Sequence, residues 1–186
     1  LSELRSLVRR STKAFEDFDQ AHALMEIENF FWSRFTDTYI ELVKVRARSI
    51  DTKNSQDQGS AIFSLRFGLS VLLRLFAPFL PFVTEEVWSW AYAEESGFKS
   101  IHISSWPKDA EFAHLETPNE TTSLSIAIAA LTAINKAKAD GEVSMGRALE
   151  RLVLSGQASD VDKLRSVAVD VTAAARCENY EIIIDD

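Results

Sequence analysis

The residues with the most chemistry to offer are three histidines, one cysteine and a pair of adjacent glutamates, and their spacing gives that chemistry little support. His22, His102 and His114 fall on different predicted elements. No HExxH motif, glycine-rich phosphate loop or nucleophile elbow accompanies them. Cys177 begins a predicted strand with no base beside it, which reads as a packed thiol. As the single cysteine it excludes an intramolecular disulfide framework and a cysteine-based zinc cluster. Glu85 and Glu86 diverge by about 100° on a helix. They are therefore expected to complement a helix N-terminus rather than to act as an acid/base pair. No catalytic residue and no metal ligand is expected.

Binding chemistry is easier to place. Phe30 interrupts a polar helical strip made of Glu26, Ser33, Asp37, Glu41, Lys44 and Arg48. An aromatic ring on such a strip, followed by cations, is either a base-stacking platform with phosphate contacts or a helix–helix contact. Arg5, Arg9, Arg10 and Lys13 line one flank of the first predicted helix, as a phosphate-binding row or as a solvated face. Trp32, Trp88, Trp90 and Trp106 read as core anchors.

Helical periodicity supplies the elements that position these residues. The first helix is predicted from Ser2 to about Phe18, and the second runs unbroken from about Asp19 to Arg48. Its core stripe is Leu24, Ile27, Phe31, Phe35 and Leu42, with Trp32, Ile40 and Val43 packed on a second side. Ser49 to Gly59 reads as a loop. A third helix runs from about Ser60 to Ala77. Pro78 and Pro81 end it, and Thr84 caps a fourth, to about Ala93, whose inner face is Val83, Val87 and Trp88. Ser100 to Ser104 alternates like a short strand. The remainder reads as helix Ser123–Asp140, strand Leu149–Leu154, a helix from Asp160 to about Arg176 with a break near Val167, and strand Tyr180–Ile184. A helix between the strands allows a parallel pair. The fold class is mainly α: an antiparallel four-helix bundle followed by a small α/β (α-β-α-β) tail. The expected division is a bundle over 1–106, an acidic linker over 107–120 and the tail over 121–186.

Bulk properties fit a globular chain. Of its 186 residues 46% are hydrophobic, and no apolar stretch is expected to be long enough to span a bilayer, because Arg66 and Arg74 interrupt the most apolar segment. The basic amphipathic start, LSELRSLVRR, carries no cleavage site for secretion and no initiator methionine. A cytoplasmic piece of a longer protein is expected. Net charge is −8, unevenly spread: +1 over residues 1–80, −6 over 81–120 and −3 over 121–186. The near-neutral N-terminal helices permit nucleic-acid contact without indicating it.

One stretch says more. LLRLFAPFLPFVTEEVW (Leu72 to Trp88) resembles the PF-P-F-TEE-W signature of the anticodon-binding helical bundle in class I aminoacyl-tRNA synthetases, in the subgroup specific for valine, isoleucine and leucine. Phe15 to Ala47 resembles the matching pair of bundle helices. Its frame of Phe31, Trp32, Phe35, Asp37, Tyr39, Glu41 and Lys44 is most similar to the valyl members, and so is INKAKADGEVSM (Ile134 to Met145). The nucleotide-binding HIGH and KMSKS motifs of that family are absent from this sequence.

The resemblance implies a region that binds the anticodon stem-loop of a valine-specific tRNA and presents it to a catalytic domain of the parent chain. ATP and Mg²⁺ are implied for that parent, no cofactor for this region, and no membrane. Loop bases are read by stacking and phosphates by Lys and Arg. Phe30, Lys44, Arg46 and Arg48 on the second helix and Arg9, Arg10 and Lys13 on the first are the expected tRNA contacts. Asp37, Tyr39, Pro78, Pro81, Thr84 and Trp88 are assigned structural work. The alternatives are the isoleucyl counterpart and a helical docking module whose acidic middle binds protein.

Overall fold

A computed structural model of the chain describes residues 1–48, 55–115 and 122–185. The protein is mostly helical, with one small parallel sheet. In order come α1 (Ser2–Glu16), α2 (Gln20–Asn29), a π-helical run (Phe30–Ile40), α3 (Glu41–Ala47), α4 (Ser55–Phe76), α5 (Pro81–Ala91) and the short α6 (Ala93–Ser96). Two 3₁₀ turns follow, Ile101–Ile103 and Asp109–Phe112. Then come α7 (Ser123–Asp140), β1 (Leu152–Gly156), α8 (Ala158–Ala175) and β2 (Tyr180–Ile184). The chain forms two compact units: Leu1–Asp37 with Ile62–Thr117, and Thr38–Ala61 with Pro118–Asp186.

In the first unit, α1 buries Leu4, Leu7 and Val8 beside Ala23 and Ile27 of α2. Asp19 caps α2 by accepting from the His22 amide at 3.1 Å. The predicted single helix from Asp19 to Arg48 is not one α-helix: eleven residues, Phe30–Ile40, are π-helical. The Ser33 and Thr36 hydroxyls donate to the carbonyls four residues back, Asn29 and Trp32, at 2.5 and 2.8 Å. Such bonds compete with the α-helical ladder and favour a wider turn. Phe31 meets Phe76 edge-on with centroids 5.5 Å apart. Phe35 lies so close to Gly68 of α4 that a Cβ there would fall 2.9 Å from its ring. The second packed side expected for this segment fails at Trp32, which is 60% exposed.

α4 starts at Ser55, inside the predicted loop; of that loop, residues 49–54 lie outside the described residues. Asp57 favours the positive helix start, and the Gln58 amide donates to the Ala47 carbonyl at the end of α3 (3.2 Å). By length and composition alone, Gln56–Phe76 (21 residues, mean hydropathy 1.4) is long and apolar enough to cross a membrane. That corrects the expectation from sequence. Here its Val71, Leu72 and Leu75 are buried in the protein, and Arg66 and Arg74 pair with Glu95 and Glu111.

α5 begins at Pro81, three residues before the predicted cap. Proline in the first turn has its φ preset and needs no amide partner. Thr84 is therefore not a cap; it is buried, its hydroxyl donating to the Leu80 carbonyl at 2.8 Å. Glu85 and Glu86 fall beyond the first turn. Glu85 instead accepts from the Ser100 hydroxyl and the Ile101 amide, both at 2.9 Å. These bonds hold Ile101–Ile103 as a 3₁₀ turn, where a strand was expected; a strand needs a neighbour to pair with, and Ser100 caps the turn instead. Val83, expected inside, is 54% exposed, whereas Trp88 packs with Leu73, Ala77, Tyr92 and Ile101.

Part of the predicted acidic loop is ordered as a second 3₁₀ turn, Asp109–Phe112, with Phe112 buried against Phe67. Residues 116–120 of that loop lie outside the described residues.

In the second unit β1 and β2 pair in parallel, with Leu152 opposite Tyr180 and Gly156 opposite Ile184. β1 starts three residues later than predicted. α8 is continuous through Val167, burying Val161, Leu164, Ala168 and Val171 at helical steps.

Candidate nucleic-acid interface

The structure places the expected contacts in three settings. Arg10 and Phe30 line one groove of about 470 Å³ in the first unit, with Glu3, Ser6, Glu26, Asn29, Ser33 and Arg34. Phe30 opens the π-helical run and is half-buried, its ring forming a wall of that groove. Arg9, Arg10 and Lys13 border a second depression with Asp17, Asp19 and His22. Lys44 and Arg46 sit on α3, and Arg48 just after it, in the second unit.

Almost every expected cation is already paired. Arg10 donates to Glu26 at 2.7 Å and Lys13 to Asp17 at 2.5 Å. Lys44 pairs with Glu41 one turn back. Arg46 reaches Asp170 of α8 at 3.0 Å, and burial pushes the Asp170 carboxyl above its ordinary value. Arg48 is exposed and makes no ion pair among the described residues. Exposed pairs contribute about 0–1 kcal/mol, so a phosphate could exchange onto Arg10 or Lys13 at little cost.

Arg9 is held differently. Asp109 accepts from Arg5 Nε and Nη2 at 2.7 and 2.6 Å and from Arg9 Nε at 2.5 Å. Asp109 of the acidic segment thus engages two of the four cations, Arg5 and Arg9, on the basic flank that sequence left as a phosphate row or a solvated face. Hydrogen bonds from Arg5, then Arg9, hold the Asp109 carboxyl well below the usual carboxylate range. A depressed folded-state pKa stabilises the fold fully above the unfolded value of about 3.9 and loses that contribution as pH falls through the folded value. Asp109→Asn is therefore expected to flatten the steep acid end of the stability–pH curve. Urea unfolding at pH 7 and at stepped acid pH checks this; parallel curves for both proteins would reject it.

Residues that periodicity did not single out complete the first groove. Arg34 pairs loosely with Glu3 at 3.8 Å across its far end. The side-chain amide of exposed Asn29 makes no hydrogen bond among the described residues. Asn29 is adjacent to Phe30, and Arg34 lies four residues beyond it, so their spacing was a usable signal. Two tryptophans expected in the core, Trp32 and Trp90, are 60% and 75% exposed. Trp106 donates to the Thr12 hydroxyl at 2.9 Å and meets Phe15 edge-on. Cys177 is buried, and no group of three or more metal-ligating side chains occurs among the described residues.

Comparison with known proteins gives this surface its context. Residues 1–153 match the family described as the anticodon-binding domain of tRNA ligase. The chain is 39% identical over 176 residues to the valine--tRNA ligase of Thermobifida fusca (strain YX), covering 95% of this chain and 19% of that protein. It is 38% identical over 183 residues to the valine--tRNA ligase of Cutibacterium acnes, covering 98% and 20%. With that of Wolbachia pipientis wMel it shares 37% over 183 residues, covering 97% and 20%. The chain thus spans about a fifth of the length of these relatives. It belongs to the anticodon-binding domain family of tRNA ligases.

Proposed function

We propose that this chain is the anticodon-binding region of a valine--tRNA ligase, holding the anticodon stem-loop of a valine tRNA while a catalytic domain of the parent chain aminoacylates the acceptor end. The observation that carries it is the likeness, over nearly the whole chain, to proteins that share the name valine--tRNA ligase. The same likeness favours the valyl over the isoleucyl assignment. On this reading α1, α2 with its π-helical continuation, α4 and α5 are the four antiparallel helices of the bundle. ATP and Mg²⁺ serve the parent's chemistry in the cytoplasm, and this region supplies affinity and register.

Phe30 is the stacking residue, and Arg10, Lys13, Lys44 and Arg48 take phosphates by exchanging or adding a partner. Arg9 and Arg46 contribute only if Asp109 and Asp170 release them. The test is a salt titration of the chain with a valine-tRNA anticodon hairpin, with the isoleucine-tRNA hairpin as control. Expected is preferential binding whose affinity falls steeply with salt, and a loss of about 1–3 kcal/mol for Phe30→Ala with the thermal melt unchanged. Equal affinity of Phe30→Ala and wild type would remove Phe30 from the interface.

A second reading has its own observation. Phe82 and Trp90, eight residues apart on α5, are 89% and 75% exposed, with Glu86 between them on the same face. An apolar helix face in an acidic region suits protein docking. Absence of hairpin binding at low salt would favour it.

A further inference from the structure

We infer that the outer face of α5 is a docking surface for an amphipathic helix that carries Lys or Arg within its apolar stripe, supplied by the part of the parent ligase outside this chain. This rests on the reading of the chain as one region of a longer ligase, and it adds an interface that the reading does not require. At about 100° per residue, Phe82, Val83, Glu86 and Trp90 fall within one arc of about 100° on α5. All four are exposed. Thr84 and Trp88, on the other side of the helix, are buried. α5 is therefore apolar on two sides, and the described residues cover only one of them. Two large rings left in water on one short helix mark a surface that a partner covers. Glu86 stands between them, and its carboxylate makes no ion pair among the described residues.

Charge and area select the occupant. Residues 81–120 carry a net charge of −6, so the face favours a basic partner. A second copy docked across a two-fold axis at the centre of the face would set Glu86 against Glu86. A phosphate backbone would meet the same carboxylate, so the face also disfavours RNA. Phe and Trp side chains bury about 150–250 Å² each, so Phe82 and Trp90 offer roughly 300–500 Å², or roughly 600–1,000 Å² with the partner's share. That falls below the about 1,200 Å² of a stable complex between separate proteins. It lies within the about 600–1,500 Å² of interfaces between domains of one chain. In the relatives the matched region is about a fifth of the length, which leaves ample chain to provide the helix. Phe82 and Trp90 stand about 12 Å apart along the axis, at about 1.5 Å per residue. A helix alongside meets them with two apolar residues about seven or eight positions apart, and a cation one turn from either faces Glu86.

The test uses the whole parent ligase, with the photoreactive analogue benzoylphenylalanine in place of Phe82 or Trp90. Both positions are exposed, so circular dichroism should match wild type. Irradiation, digestion and mass spectrometry are expected to give, from both positions, an intramolecular crosslink to one helical peptide outside this chain with Lys or Arg among its apolar residues. Glu86→Lys, which sets like charges together, is expected to cut that yield at least about fivefold, and Glu86→Gln by less. Crosslinks that join two copies, or that reach only bound tRNA, would overturn the inference, as would no crosslink from either position. A crosslinked peptide without a basic residue, its yield untouched by Glu86→Lys, would overturn it too. Hairpin binding by the chain is read separately. Binding without the crosslink keeps the anticodon role and rejects the docking face, and the crosslink without hairpin binding does the reverse.

Discussion

Trp88→Ala is expected to destabilise the first unit by about 3–5 kcal/mol, the range for deleting a large buried aromatic. Trp88 is 2% exposed and packs with Leu73, Ala77, Tyr92 and Ile101. The neighbouring Tyr92 ring lies 5.4 Å away, tilted by 33°. The indole Nε1 donates to the Phe98 carbonyl at 2.9 Å, tying α5 to the segment that leads into the Ile101–Ile103 turn. One residue therefore fills the space between α4 and α5 and fixes the chain beyond them. Two variants separate these contributions. Trp88→Phe keeps most of the apolar contact and loses the hydrogen bond, so about 1 kcal/mol should go. Trp88→Ala loses both and leaves a cavity. Urea unfolding followed by circular dichroism measures each. A loss of under 1 kcal/mol for alanine would mean that the neighbours collapse into the space.

Lys138→Met is expected to cost the second unit about 3 kcal/mol: three hydrogen bonds to a charged group, each worth about 1.5–3 kcal/mol, are lost, and relief of the desolvation cost of a buried charge offsets part of that loss. Lys138 is 3% exposed on α7. Among the described residues no carboxylate pairs with it. Its ammonium donates instead to three backbone carbonyls: Arg147 at 2.9 Å, and Met145 and Ala175 at 3.1 Å each. An ammonium has three donors, and all three are used. Ala175 ends α8, so the positive charge also sits at the negative pole of that helix. Arg176 continues the same junction with φ of 58° and a 2.8 Å bond to the Gly146 carbonyl. Methionine fills the volume of the lysine stem but offers no donor, so α7, the 144–147 turn and the end of α8 lose their common tie. Faster amide exchange in β1, α8 and β2 with the α1 amides unchanged would localise the effect. Exchange rates equal to wild type throughout would mean that water replaces the ammonium.

The two halves of the tail differ in how legible they were. β-Branched runs bounded by turn residues, with a helical period between them, place β1, α8 and β2 to within a few residues, and a helix between strands leads to the parallel pairing that is observed. Lys138 was invisible in the same sequence. Read by periodicity it is a charge following Ala137 near a helix end, and only the fold brings two carbonyls of the 144–147 turn and one from the end of α8 to its ammonium. The acidic 107–120 segment was legible in its charge and not in its placement. Asp109 joins Arg5 and Arg9 across about a hundred positions of sequence, and no local pattern records that pairing.

By itself the sequence determined the helix-rich class, the proline corner between α4 and α5, the tail order and, through the run Leu72 to Trp88, the family. Each of these is written in local terms: apolar period, backbone restriction at proline and a continuous motif. The tertiary structure decided the rest. It moved the start of α5 to Pro81, turned the Thr84 hydroxyl back onto the Leu80 carbonyl, and gave Glu85 to the Ser100 hydroxyl and the Ile101 amide, which needed an acceptor. It widened the helix at Phe30–Ile40, where hydroxyl–carbonyl bonds compete with the α ladder and Phe35 must sit against Gly68. It also sorted the cations. Periodicity placed Arg9 and Arg10 side by side on one flank. The fold ties Arg9 to Asp109 and sets Arg10 across from Glu26 beside Phe30, because an ion pair depends on which carboxylate arrives within a few ångströms.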